Sequence, residues 1–286
     1  MPAAADYASA MRQALRSVTG DLPGYHFRAT PLGNFGVGSL YVDEIANADL
    51  AQAESSWYLG SPDTWLAADR SAAERQRLLA RLVAEGSMGA VNLDAAGARE
   101  LHAQASVALL TALVGSARID TRSGLDTRVT ATDVRNRRLN WAEFEAALRA
   151  GRIAPAVADV VRRGRFVVAA ADVVLVGYRA EITVDESRNP QVAAGLRAKT
   201  LIPTRVQGSA AFQVSEQTAG RFVVSAPQPV VAAVLFKRPP PVGKDLGSPT
   251  NLDAWPAASV NERAVDAVES RVLKDRQDRQ DRQPTR

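Results

Sequence analysis

The 286-residue chain is 46% hydrophobic and 23% charged, which suffices for one large or two small domains around a sizeable core. It contains no cysteine, so disulfides, thiolate nucleophiles and thiolate metal ligands are excluded. The net charge of +4 comes from acids and bases intermixed along the chain, not from one concentrated basic patch, and we expect no nucleic-acid partner.

The N-terminus lacks the charged-then-apolar pattern of a signal peptide, because Asp6, Arg12 and Arg16 interrupt it. The longest apolar run, Phe166 to Val176, is broken by Asp172 and is far too short for a membrane-spanning helix. The expected resting state is soluble and cytoplasmic. Helical spacing of Tyr7, Met11, Leu15 and Val18 predicts an opening amphipathic helix ending near Gly20. Tyr25–Thr30 and Phe35–Val42 read as strands joined as a hairpin at Gly33-Asn34. Ser71 and Glu74 form a capping box ahead of a helix bearing Leu78, Leu79, Leu82 and Val83, and Gly86-Ser87-Met88-Gly89 reads as the loop after it. A second helix carries Leu101, Ala105, Leu109 and Ala112 up to Gly115.

From Arg118 to Val134 the pattern is that of polar, half-exposed strands. Asn140 with Glu143 caps a short helix closed by Gly151, and Pro155 and Gly164 bracket another. Phe166 to Tyr178 predicts a strand buried on both faces that runs on into an alternating segment ending at Asp185. After a loop at Arg188-Asn189-Pro190, Arg205 to Ser215 alternates as one amphipathic strand, followed by strands at Phe222–Ser225 and Val230–Phe236. The triproline at 239–241 ends a body spanning residues 1–238; residues 239–258 read as an exposed linker. In the C-terminal part, 259–286, Ser259 and Glu262 cap a helix with Val260, Ala264, Val268 and Val272 on one stripe, and the Asp-Arg-Gln repeat beyond Asp275 reads as a disordered tail. The fold class is therefore α+β, with a twisted, mainly antiparallel sheet packed by helices.

No catalytic constellation emerges. His26 and His102 have no second histidine at ligand spacing and no nucleophile elbow, so neither a metal site nor a triad is expected. Gly33, Gly36 and Gly38 lead into a strand instead of the helix N-terminus that a phosphate loop needs. Asp43-Glu44 and Asp185-Glu186 are adjacent pairs at strand ends, not dyads. No cofactor is expected, and the chain reads as a non-enzyme. Two arginine clusters, Arg135, Arg137 and Arg138 with Arg162, Arg163 and Arg165, are the candidate contacts to anionic lipid headgroups.

The succession from Asn140-Trp141-Ala142-Glu143-Phe144 through Gly151, Pro155, the long strand Phe166–Asp185, the alternating strand Arg205–Ser215 and the final strands Gly220–Val223 and Val230–Phe236 resembles the pore-forming domain of bacterial gasdermins. Gly24-Tyr25-His26-Phe27-Arg28 and the helix ending at Gly115 fall in comparable places. The chain departs from the family in lacking the N-terminal cysteine that becomes acylated, and in the stretch Ala46–Val91, which has no counterpart. The resemblance implies a pore-forming effector of antiviral defence, monomeric at rest and autoinhibited by its C-terminal segment, with Val260, Ala264, Val268 and Val272 as the inhibitory face. An activating protease would release the segment, and the body would assemble as a homo-oligomer in an anionic membrane. A soluble, non-enzymatic binding or scaffold protein is the alternative the residues leave open.

Overall fold

The computed structural model describes residues 11–12, 15–16, 19–32, 35–47, 53–66, 71–92, 125–200, 204–206, 210–239, 252 and 255–281. The helix expected between Leu101 and Gly115, His102, and the join at Gly33-Asn34 lie outside them.

Valine-rich segments with apolar residues at consecutive positions form the middle of the sheet, where both faces are covered. Strand β6 (Phe166–Val176) is buried along nearly its whole length. It continues past Gly177 and Tyr178 into β7 (Arg179–Val184), whose burial alternates as the sequence alternates. The two pair in one unbroken register with β5 (Leu125–Leu139), from Arg138 opposite Ala171 to Leu125 opposite Val184. Gly177 sits at the junction with φ +62°, and a Cβ there would meet Thr132 Oγ1 at 2.4 Å, so only glycine lets the strand pass β5 this closely.

On the other side, β11 (Val230–Lys237) pairs with β6, and β10 (Arg221–Ser225) pairs with β7. β1 (Tyr25–Leu32) adds to β11, while β9 (Ala210–Thr218) and β8 (Thr204–Val206) extend from β10. β4 (Val83–Asn92) lines the far side of β5; β2 (Leu40–Val42) prolongs the β5 row along β6, and β3 (Tyr58–Gly60) pairs with β2. All these pairings are antiparallel, so the α+β architecture with a mainly antiparallel sheet is what the chain adopts.

The helices are α1 (Pro62–Trp65), α2 (Ala72–Leu82), α3 (Trp141–Arg149), α4 (Pro155–Arg162), α5 (Pro190–Thr200) and α6 (Glu262–Asp281). The caps follow the sequence signals. Ser71 and Glu74 exchange both bonds of a capping box, and the Asn140 side chain accepts from the Glu143 amide. Gly151 and Gly164 adopt positive φ just past α3 and α4.

Five sequence expectations are corrected. β1 and β2 do not form a hairpin: β1 pairs with β11 and β2 with β6, and residues 35–39 are turn and irregular backbone. Gly86–Gly89 is part of strand β4, held by pairing with the long β5 despite its glycines. Arg205–Ser215 is not one strand. Thr204–Val206 and Ala210–Thr218 are two strands paired antiparallel, with Val206 opposite Ala210, and residues 207–209 lie outside the described residues. Pro190 opens helix α5, which buries Val192, Ala193 and Leu196. Finally, the C-terminal helix starts after Asn261, whose carbonyl accepts from the Ala264 and Val265 amides, and it runs through Asp275 to Asp281.

Candidate regulatory site beneath the C-terminal helix

β1 alternates Tyr25 and Phe27 on one face with His26 and Arg28 on the other. Tyr25 and Phe27 enter the core on one side of the sheet. Arg28 is nonetheless buried, at 4% exposure, because α6 lies across its face. The helix buries Ala264, Val265, Val268, Glu269 and Val272, with Val260 just ahead of it. Val260, Val265, Val268 and Val272 join Phe35, Tyr41, Ile45, Val234 and Phe236 in one apolar cluster, with Trp57 and Tyr58 at its edge. The four residues proposed from sequence thus all lie in the buried part of the segment, and the structure adds Val265 and Glu269. The platform on the Trp57 side belongs to the Ala46–Val91 stretch, so that stretch helps seat the C-terminal helix.

Glu269 has no exposure, and its Oε1 accepts both from Arg28 Nη2 at 2.8 Å and from Tyr41 Oη at 2.6 Å. The same Arg28 nitrogen donates to the Phe35 carbonyl at 2.6 Å, and Arg28 Nη1 reaches Asp266 Oδ1 at 3.4 Å. Glu269 Oε2 and Arg28 Nε have no hydrogen-bond partner. Burial, reinforced by the nearby Asp266, pushes the Glu269 carboxyl up to about 7, although Arg28 and Tyr41 oppose the rise. Burial also works against the Arg28 charge, but Glu269, Tyr41 and Asp266 more than offset it, so Arg28 remains a cation. Burial and then Glu269 raise the Tyr41 phenol well above its ordinary value, which keeps it a donor.

A second charge pair clamps the adjacent turn. Asp172, the charge that breaks the apolar run of β6, is fully buried and accepts from Arg137 Nε and Nη2 at 2.9 and 2.6 Å. The Val37 amide also donates to Asp172 Oδ2, at 2.7 Å. A Cβ on Gly36 would sit 2.2 Å from Asp172 Oδ2 and 2.8 Å from Arg137 Nη2, which is why this turn needs glycine. The Phe35–Val37 backbone is therefore held by Arg28 from one side and Asp172 from the other.

The segment leading to α6 is not wholly exposed. Leu252 and Trp255 are buried, and Trp255 meets Trp141 edge-on with ring centroids 4.6 Å apart. Lys237 Nζ donates to the Trp255 carbonyl at 2.7 Å, and the Ala258 amide donates to Phe236 at 3.0 Å. Among the described residues, the C-terminal segment is thus already docked at Leu252, well before the helix.

The six arginines do not form one patch. Arg137 is committed to Asp172, and Arg135 pairs with Asp133 at 2.7 Å and Glu85 at 2.6 Å. Arg138 is exposed and lies opposite Ala171, whereas Arg162, Arg163 and Arg165 are exposed before Phe166, roughly 20 Å further along β6 at about 3.3 Å per residue. Arg163 pairs with Asp159 at 2.7 Å. His26 faces the Phe236 ring, centroids 5.6 Å apart. Among the described residues, no group of three or more His, Asp or Glu side chains is placed to hold a metal ion, and no helix is long and apolar enough to cross a membrane.

Arg28 and Glu269 escape the sequence reading because each stands where a charge reads as solvent-facing: one on the polar face of a strand, the other beside an apolar stripe. The available signal is positional. Glu269 follows Val268 and lies four residues after Val265, inside a stripe too wide to face water.

No family model matches the chain, and no curated protein matches it. Among solved structures it is similar to a bacterial gasdermin from Bradyrhizobium tropiciagri, at 14% sequence identity and a TM-score of 0.36, over 80% of this chain and 85% of that one.

Proposed function

We propose that the chain is an autoinhibited pore-forming effector of the gasdermin type, in which the C-terminal segment from Leu252 onward is a removable cover. The observation that supports this reading is the seating of α6 on β1, β2 and β11 through an apolar face with a buried charge pair at its centre. In the sequence, 240–251 joins the last body strand to Leu252 and is rich in proline and glycine, and this is where a protease would act. After a cut, α6 loses the high effective concentration that its tether supplies and leaves. Release would free β1, β2 and β11 from α6, and β7, which alternates apolar and polar residues, has the pattern that a closed barrel in lipid requires.

The test is an engineered protease site near Ser248. On cutting, the body is expected to pass from a monomer in solution to a vesicle-bound oligomer, read by flotation with anionic liposomes. If the cut body stays monomeric and does not float, α6 is a structural clasp, and the alternative of a soluble binding or scaffold protein gains.

A further inference from the structure

We propose that the Arg28–Tyr41–Glu269 group is a release latch: losing one of its charged partners undocks the C-terminal helix in the uncut chain, whereas replacing the whole group with apolar side chains does not. The proposal rests on the autoinhibited reading for its biological consequence but not for its physical content. An apolar contact alone would seat a helix with tolerance for sliding, because burial is non-directional. Here a carboxylate oxygen must meet both a guanidinium nitrogen and a phenol, each at hydrogen-bond distance and all away from water. That requirement fixes one register of α6 on β1 and β2.

The energetic asymmetry of buried pairs makes the group a switch. An intact buried ion pair adds little net stability over well-packed apolar groups, because desolvation consumes most of its attraction. Removing one partner leaves the Arg28 charge, or the Glu269 carboxyl, buried without its hydrogen-bond partner, a loss on the order of 10²–10³-fold in the docking equilibrium. The group already stands near that edge, since Arg28 Nε and Glu269 Oε2 are buried without partners. Arg28 also holds the Phe35 carbonyl, so disturbing it loosens the turn that Asp172 grips through Val37.

The experiment measures amide hydrogen exchange across residues 264–272 in the full-length, uncut protein, for the wild type, Glu269→Ala, Arg28→Met, and the triple variant Arg28→Met with Tyr41→Phe and Glu269→Leu. Exchange in β6 residues 167–171 serves as the internal reference for the folded body. Each single variant is expected to speed exchange in α6 by roughly 10²–10³-fold while β6 is unchanged, and the triple variant to return to within about tenfold of wild type. Single variants that exchange like wild type, a triple variant as loose as the singles, or β6 loosening in step with α6 would overturn the latch. Dye release from anionic vesicles is read in parallel on the same uncut samples. If α6 undocks as expected but vesicles stay sealed, the latch stands and the pore-forming reading fails.

Discussion

At the scale of single residues, burial decides what each charge can do. Glu269 has a folded-state value raised to about 7, above the ordinary glutamate range near 4.3. The docked helix therefore holds the proton more tightly than the released one. Its contribution to docking is complete below about pH 4.3 and is lost as pH rises toward 7, at a rate of at most about 1.4 kcal/mol per pH unit. The groups facing it are Arg28, Tyr41 and Asp266, with Tyr58 beyond Tyr41. The protection of α6 amides, taken relative to the unfolded-chain exchange rate at each pH, should accordingly fall between pH 5 and pH 8, and Glu269→Gln should flatten the trend; protection that rises with pH would contradict the assignment. Gly36 offers a second test. Because a Cβ there would collide with the buried Asp172–Arg137 pair, Gly36→Ala should lower unfolding stability by about 1–3 kcal/mol, measured by urea denaturation. An unchanged midpoint would show that the turn is not clamped as described.

At the scale of elements, the apolar stripe of α6 and the two arginine groups make separable predictions. Val268 is fully buried against the sheet, so Val268→Asp places an unpaired charge in the cluster and should release the helix from the uncut chain. Limited proteolysis of α6 should then resemble that of the cut protein. Reversing Arg135 and Arg137 should destabilise the body, by roughly 3–5 kcal/mol for the buried Arg137–Asp172 pair, before any membrane effect can be read. Reversing Arg162, Arg163 and Arg165 should leave the melting temperature nearly unchanged, because they are exposed, and should reduce liposome association of the cut protein by on the order of 1 kcal/mol per residue. Equal thermal sensitivity of the two sets would show that the division is wrong.

Elements announced by local chemistry were the legible ones. The Ser71–Glu74 box, the Asn140 cap, the bracketing Pro155 and Gly164, and the buried valine run of β6 all carry their signals within a few residues. What escaped depends on distant partners. Gly86–Gly89 becomes a strand only because β5 runs alongside, and Arg28 becomes a buried residue only because Glu269 lies over it, 241 positions later. Helix α5 was legible in principle, since Pro190 at its first turn and the spacing of Val192, Ala193 and Leu196 are local. The alternation of Arg205–Ser215 hid the break between β8 and β9, because a period of two carries no mark of a change of strand direction.

At the scale of the whole molecule, one long strand organises everything else. The β6–β7 line gives β5 a continuous partner and places β11, β1 and β2 where α6 can cross them. The C-terminal segment is tied at two levels: Trp255 wedged against Trp141 and Phe166, and α6 over the first strand. A cut within 240–251 separates both from the last body strand without breaking a described contact, so the cover remains intact as it departs. The measurement that tests this account most directly is release of an entrapped dye from anionic vesicles by the same preparation before and after cutting at an engineered site near Ser248. The account predicts sealed vesicles with the uncut chain and rapid dye release once the segment from Leu252 onward is cut and diluted away. Vesicles that stay sealed after complete cutting and loss of α6 would contradict it.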